Sequence, residues 1–308
     1  MIKREQRRAS SFRAADKLKE QKGVLSRRDE RAFAFLEINQ RDEKPREAGL
    51  TEIRGPYYSP MGRRYLEDVL ETMGAYVDSL KFAAGSFVLM PRGRVVELIE
   101  TAHRFGVQVS TGGFIEHVLT KGAKQVDRYI GECADLGFDT IEISAGFITI
   151  PMDDWIRLIK KVQRAGLKPK PEVGIQFGAG GASDVSVLEQ QGISSPQLAI
   201  NRAKRFLDAG APLIMIESEG ITENVKSWRS DVSSQFANAL GLDQIMFEAA
   251  DPAVFSWYIK TFGPDVNLFV DHSQIVQLEA LRRGIWGTAD LWGKVVTFKE
   301  VEQPGKSA

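Results

Sequence analysis

The sequence predicts a closed eight-stranded parallel (β/α)8 barrel, a TIM barrel, preceded by a helical or partly disordered extension. Three observations lead there. From Leu50 onward short β-branched runs alternate with helix-period runs, the mark of a parallel α/β architecture. Eight such units occur, the number that closes a barrel, and the chain of 308 residues holds the roughly 250 that a barrel needs. No Gly-x-Gly-x-x-Gly follows the first strand, as an open dinucleotide-binding sheet would require.

The strands are expected near 50–54, 76–82, 106–111, 138–144, 168–174, 212–217, 243–248 and 266–271. The helices between them are expected near 61–73, 93–105, 121–137, 152–165, 195–209, 230–240, 251–262 and 274–284. Gly106, Gly137, Gly166, Gly210, Gly241, Gly263 and Gly284 each follow an apolar-periodic stretch and read as helix terminators. Three domains follow: a basic extension over 1–46, the barrel over 47–299 and a C-terminal tail over 300–308. Two connections, 175–194 and 218–229, are long and follow strands, which places them on the catalytic rim.

Composition narrows the class. Hydrophobic content of 43% and charged content of 27% are those of a soluble globular protein. Lys+Arg and Asp+Glu both total 41, but residues 1–46 hold 14 basic against 8 acidic residues, so the remainder is acidic. The basic stretch reads as a solvated face, and no nucleic-acid partner is expected. No apolar run reaches the ~20 residues that cross a bilayer, and no signal or transit peptide is recognised at the N-terminus, so a cytoplasmic location without a membrane partner is expected. The one cysteine, Cys133, excludes an intrachain disulfide and reads as helix packing. His103 and His117 read as surface or packing residues. Trp286 and Trp292 read as packing under the barrel or a subunit contact, and a homo-oligomer is expected.

The candidate site comes from strand ends. Glu142, Glu172, Glu217 and Glu248 each stand at the C-terminal end of a strand, where barrel chemistry gathers. Carboxylates converging there repel one another unless a cation or shared protons offset the charge. With three histidines in the chain, an oxygen-rich Mg2+ site fits better than zinc or iron. The alternative is pairing with Lys81, Lys170 or Arg54. Lys81 among aliphatics must reach an anion, either a rim glutamate or a substrate phosphate. Glycine turns at Gly112-Gly113 and 178–183, including Gly180 and Gly181, let backbone amides approach an anion. Together with Arg54, Lys81 and Arg229 they make a small anionic substrate the expected ligand. His272 reads as a proton donor, an anion contact or a hydrogen-bonded rim histidine.

Six blocks carry a family resemblance. They are Thr51-Glu52-Ile53-Arg54-Gly55-Pro56, Val109-Ser110-Thr111-Gly112-Gly113, Pro171 through Gly181, Ile216-Glu217-Ser218-Glu219-Gly220, Met246-Phe247-Glu248-Ala249-Ala250 and Leu281-Arg282-Arg283-Gly284. In this order, over residues 50 to 298, they resemble the phosphosulfolactate synthase family, nearest the branch that includes a plant heat-stress-associated protein. The resemblance implies a barrel that adds sulfite to phosphoenolpyruvate with Mg2+. It implies metal contact for Glu142, Glu172, Glu217 and Glu248 and a catalytic Lys81. Archaeal members carry lysines just after Glu-Val-Gly, where this chain has Ile175 and Gln176. Proton donation is therefore expected from Lys81, Lys170 or His272, with Gln176 a substrate contact. The other reading is a catalytically diverged barrel that acts through protein contacts under stress.

Overall fold

The computed structural model describes residues 31–180, 183–192 and 194–298. Residues 1–30 and the tail from 299 onward, which carry most of the expected extension and all of the 300–308 segment, lie outside the described residues. Residues 31–39 form a small unit of their own, a turn in which Arg31 donates to the carbonyls of Ala34 and Leu36 at 3.3 and 2.7 Å.

From residue 40 the chain builds the barrel. Eight parallel strands close in sequence order: β1 (Thr51–Arg54), β2 (Ser79–Lys81), β3 (Gln108–Ser110), β4 (Thr140–Ile143), β5 (Lys168–Val173), β6 (Ile214–Ile216), β7 (Ile245–Glu248) and β8 (Leu268–Asp271), with β8 pairing back onto β1. Every predicted strand is present. The eight predicted helices are present as Arg63–Met73, Arg92–Arg104, Ala123–Leu136, Met152–Arg164, Gln197–Asp208, Ser230–Leu240, Pro252–Phe262 and Ile275–Arg282. Each lays an apolar stripe on the sheet; in Met152–Arg164 the stripe is Trp155, Leu158, Ile159 and Val162, one face of a 3.6-residue period. Gly137 shows why glycine ends these helices: at φ 94° its amide turns back to the carbonyls of Ala134 and Cys133, a conformation a Cβ would strain.

Besides the single turn Gly74–Tyr76 ahead of β2, three short helical segments were not foreseen: Ala83–Leu89, Ile115–Leu119 and Val185–Glu189. These three follow strands and form the rim. Cys133 is buried, and burial pushes its thiol up to about 12, which fits packing rather than nucleophilic chemistry.

The barrel interior is divided. On β6, β7 and β8, below the cleft, it is apolar, with Met215, Met246 and Phe269 packed together. On β1, β2, β4 and β5 it is charged, with Glu52, Lys81, Glu142 and Lys170 all buried. Beneath the barrel, basic residues act as a clasp. Lys44 donates to the carbonyls of Gly74, Val77, Phe105 and Gly106, Arg46 pairs with Asp78 at 3.2 Å, and Arg41 pairs with Glu279 at 3.1 Å. Arg282, fully buried, donates to Gly49 O at 2.9 Å, Thr51 Oγ1 at 2.6 Å and Val266 O at 2.7 Å, joining the approaches to β1 and β8. Burial, with Arg41 nearby, lowers its guanidinium to about 9.

Candidate active site

A cleft of about 420 Å3 opens at the C-terminal ends of the strands. Its wall brings together Arg54, Lys81, Gly112, Gly113, Glu142, Glu172, Gly180, Glu217 and Glu248, nine of the residues singled out from sequence. Glu116 and Glu223 join them, so six carboxyl groups face two full-time cations, Arg54 and Lys81.

Alternation along each strand sends these side chains inward. Lys81 Nζ lies 2.8 Å from Glu142 Oε2 and 3.2 Å from Glu248 Oε1, and stands 4.0 Å from the centre of the Phe269 ring. Lys170 Nζ reaches the same Glu142 oxygen at 3.1 Å and also pairs with Glu52, which accepts from Ser79 Oγ at 3.0 Å. The result is a buried chain of alternating charge, Glu52–Lys170–Glu142–Lys81–Glu248. Burial opposes the charge on Lys81, but Glu142, Glu248, Glu52 and Glu172 together hold its ammonium well above the ordinary lysine range. Burial likewise opposes ionisation of Glu142, yet Lys81 and Lys170 keep it below the usual carboxylate range.

Glu172 and Glu217 are in a different position. Among the described residues neither has a lysine or arginine within ion-pair distance. Burial, then the charges of Glu142 and Glu248, pushes Glu172 up to about 8, against a smaller opposing effect of Lys81. Burial, then Glu248 and Glu172, pushes Glu217 well above its ordinary value. Glu223, farther out, is raised by burial too. No three His, Cys, Asp or Glu side chains among the described residues gather closely enough to hold a metal by themselves.

Two further acids, neither of them among the expected site residues, stitch the rim. Glu116 accepts from Ser144 Oγ and from the amides of Gly146 and Phe147, both at 2.9 Å. Glu219 accepts from the amides of Gly180 and Ser183 at 2.6 and 2.7 Å and from Asn224 Nδ2 at 2.6 Å. The Gly180 amide is thus committed to the protein itself, and Gly181 lies outside the described residues. Gly112, at φ 64°, presses on the backbone just after strand β2: a Cβ there would sit 2.8 Å from Phe82 O. Glu116 and Glu219 left a signal in sequence only as acids shortly after a strand end, which surface residues share.

The remaining candidates lie around the cleft. Arg54 is loosely held, 3.9 Å from Asp271 and against the Tyr58 and Phe269 rings, which leaves it available to an anion. His272 lines a neighbouring hollow. One ring nitrogen is 3.1 Å from Arg54 O and the other 2.9 Å from Tyr65 Oη. Lys170 lies deeper than the cleft, on the side of a cavity that opens at the barrel's other end. Gln176 donates to Leu188 O at 3.0 Å, and Arg229 grips Asp231 through two bonds of 2.9 Å. His117, expected to be surface or packing, lies on the cleft wall against Phe114.

Comparison with known proteins places the chain in a family and agrees with its fold. Residues 39–288 match the family described as (2R)-phospho-3-sulfolactate synthase. The chain is 39% identical over 259 residues to Protein HEAT-STRESS-ASSOCIATED 32 of Arabidopsis thaliana, covering 81% of this chain and 91% of that one. It is 30% identical over 271 residues to the phosphosulfolactate synthase of Methanothermobacter thermautotrophicus, covering 86% and 98%. Among solved structures, the carboxyl transferase domain of Rhizobium etli pyruvate carboxylase with bound pyruvate superposes with a TM-score of 0.53 at 11% identity. That match covers 74% of this chain and 40% of the other, and it shows a shared barrel fold. No helix among the described residues is long and apolar enough to cross a membrane.

Proposed function

Because the chain belongs to the (2R)-phospho-3-sulfolactate synthase family, we propose that its cleft forms a carbon–sulfur bond on a small phosphorylated carboxylate, in the family's form by adding sulfite to phosphoenolpyruvate, with Mg2+ as cofactor. The observation that carries this reading is the pair Glu172 and Glu217. Two carboxyl groups in an enclosed mouth, both with raised pKa and neither with a cationic partner among the described residues, fit a divalent cation. The donor set is oxygen only, and Mg2+ needs one or two carboxylates, completing its shell with water and substrate. Bound there, it would hold the substrate carboxylate and offset the negative charge that develops on it.

The chain's own groups supply the rest. Arg54, on the rim and loosely paired, suits the phosphate. Sulfite adds through sulfur to the terminal methylene carbon, the double-bond electrons move toward the carboxylate, and the phosphate-bearing carbon then takes a proton. Lys81 is the donor favoured by position, since it is the lysine that faces the cleft. Its neighbours keep it charged, so the proton leaves only for a strongly basic carbanion. Lys170 and Glu52 hold Glu142, and through it Lys81, in place. His272, with both ring nitrogens engaged outside the cleft, is less well placed.

The test is product formation from phosphoenolpyruvate, sulfite and Mg2+, followed by mass spectrometry. Wild type should turn over, chelation should stop it, and Lys81→Met should abolish it. No product under conditions in which the Methanothermobacter enzyme is active would overturn the reading. The second reading, a diverged barrel that works through protein contacts, draws on Gln176: it stands where archaeal members carry lysine, and its Nε2 is turned to Leu188 O. The likeness to a heat-stress-associated protein points the same way. Under that reading the cation binds and no turnover follows.

A further inference from the structure

A second chamber, of about 450 Å3, adjoins the cleft. Glu172 and Glu217 belong to the walls of both. The rest of its lining includes Ser194, Ser195 and Arg202. Arg202 rises from helix Gln197–Asp208 and is partly buried. It has no carboxylate within ion-pair distance among the described residues, whereas Arg205 on the same helix pairs with Asp153 at 3.3 Å. Shielding a guanidinium from water without a counter-ion is costly. Its planar fork matches the oxygens of a sulfur or phosphorus oxyanion. Ser194 and Ser195 line the same space, the Ser195 hydroxyl also accepting from the Gln197 amide at 3.3 Å, while Gln176, also in the wall, has its Nε2 committed to Leu188.

We propose that this chamber is a subsite for a small sulfur or phosphorus oxyanion, held by Arg202 with Ser194 and Ser195. It is separate from the Arg54 and Lys81 side of the cleft and opens onto the same acid pair. Only the view of that anion as a co-substrate rests on the proposed reaction; the binding itself does not. A divalent cation held by the two acids would set positive charge beside the subsite, so Mg2+ should strengthen binding.

Calorimetric titration of the full chain tests the assignment, with sulfite, inorganic phosphate and phosphoenolpyruvate as separate ligands, with and without Mg2+. Arg202→Ala should weaken sulfite about tenfold or more and leave phosphoenolpyruvate within about twofold, with Arg202→Lys between wild type and Ala. If phosphate rather than sulfite depends on Arg202, the subsite stands and the ligand is a phosphoryl group. Sulfite and phosphate affinities both unchanged by Arg202→Ala would overturn the proposal, as would a parallel loss of phosphoenolpyruvate. Melting curves check folding, and Arg202→Lys serves if the alanine variant is unfolded. A wild type that binds sulfite through Arg202 but not phosphoenolpyruvate would refute the proposed reaction and keep the subsite.

Discussion

Replacing Glu172 by glutamine should make the protein more stable at alkaline pH, and the structure sets the size of the gain. The Glu172 carboxyl rises from 4.5 to about 8 because it is buried and faces Glu142 and Glu248. Below pH 4.5 it is protonated in both folded and unfolded chains and contributes no pH dependence. Between 4.5 and 8 the unfolded chain gives up the proton while the folded one keeps it, so stability falls as pH rises. Each pH unit in that window is worth about 1.4 kcal/mol, and the loss accumulates to about 5 kcal/mol before levelling off above pH 8. Glutamine cannot ionise and keeps nearly the same shape. Glu172→Gln should therefore match wild type near pH 4.5 and exceed it by about 3–5 kcal/mol at pH 8. Urea melts from pH 4.5 to 8.5 measure the difference. At pH 8 millimolar Mg2+ should recover part of the loss in wild type and less in the variant. Parallel pH profiles for the two proteins would refute the argument that this carboxyl carries an uncompensated charge.

Other substitutions probe the surrounding parts. Lys81→Met leaves Glu142 with Lys170 alone and Glu248 without its lysine, and should cost about 3–5 kcal/mol in a urea melt, an effect that Lys81→Arg reduces. Glu116→Ala removes the acceptor for Ser144, Gly146 and Phe147, so amide exchange at Gly146 and Phe147 should quicken markedly while the Tm falls by only a few degrees; unchanged exchange would show that the loop is held otherwise. Gly112→Ala must adopt φ 64° with its Cβ against Phe82 O and should lower stability by about 1–3 kcal/mol, read by thermal melting. His272→Ala should leave turnover within about threefold if Lys81 is the donor, whereas a loss above about a hundredfold would reassign the proton to His272.

The barrel was legible because its signals are local and repeated. A β-branched run and a helix-period run occur in each unit, seven of the eight helices are followed by a glycine read as a terminator, and all seven of these glycines adopt positive φ. The segments Ala83–Leu89, Ile115–Leu119 and Val185–Glu189 were not legible, since one or two turns leave too few residues to display a period. Within the site, sequence could place Glu142, Glu172, Glu217 and Glu248 on one rim but could not divide them. Which acids meet a lysine depends on register between strands, and one of the two partners of Lys170 is Glu52, far away in sequence on β1. Gly180 looked like an anion contact, but its amide is taken by Glu219 from the following strand's loop, a pairing without a local signature.

The Arg282 clamp bears on how the chain behaves while it is being made. Strand β1 is among the first parts of the barrel to leave the ribosome, yet its β8 partner and the guanidinium that ties the two approaches together come more than two hundred residues later. Throughout most of synthesis β1 has one unpaired edge, and nascent β-edges recruit one another. Closure is therefore a late, all-at-once event for this protein, and nonsense or frameshift truncations anywhere before residue 282 should yield sticky, protease-sensitive chains rather than shorter working barrels.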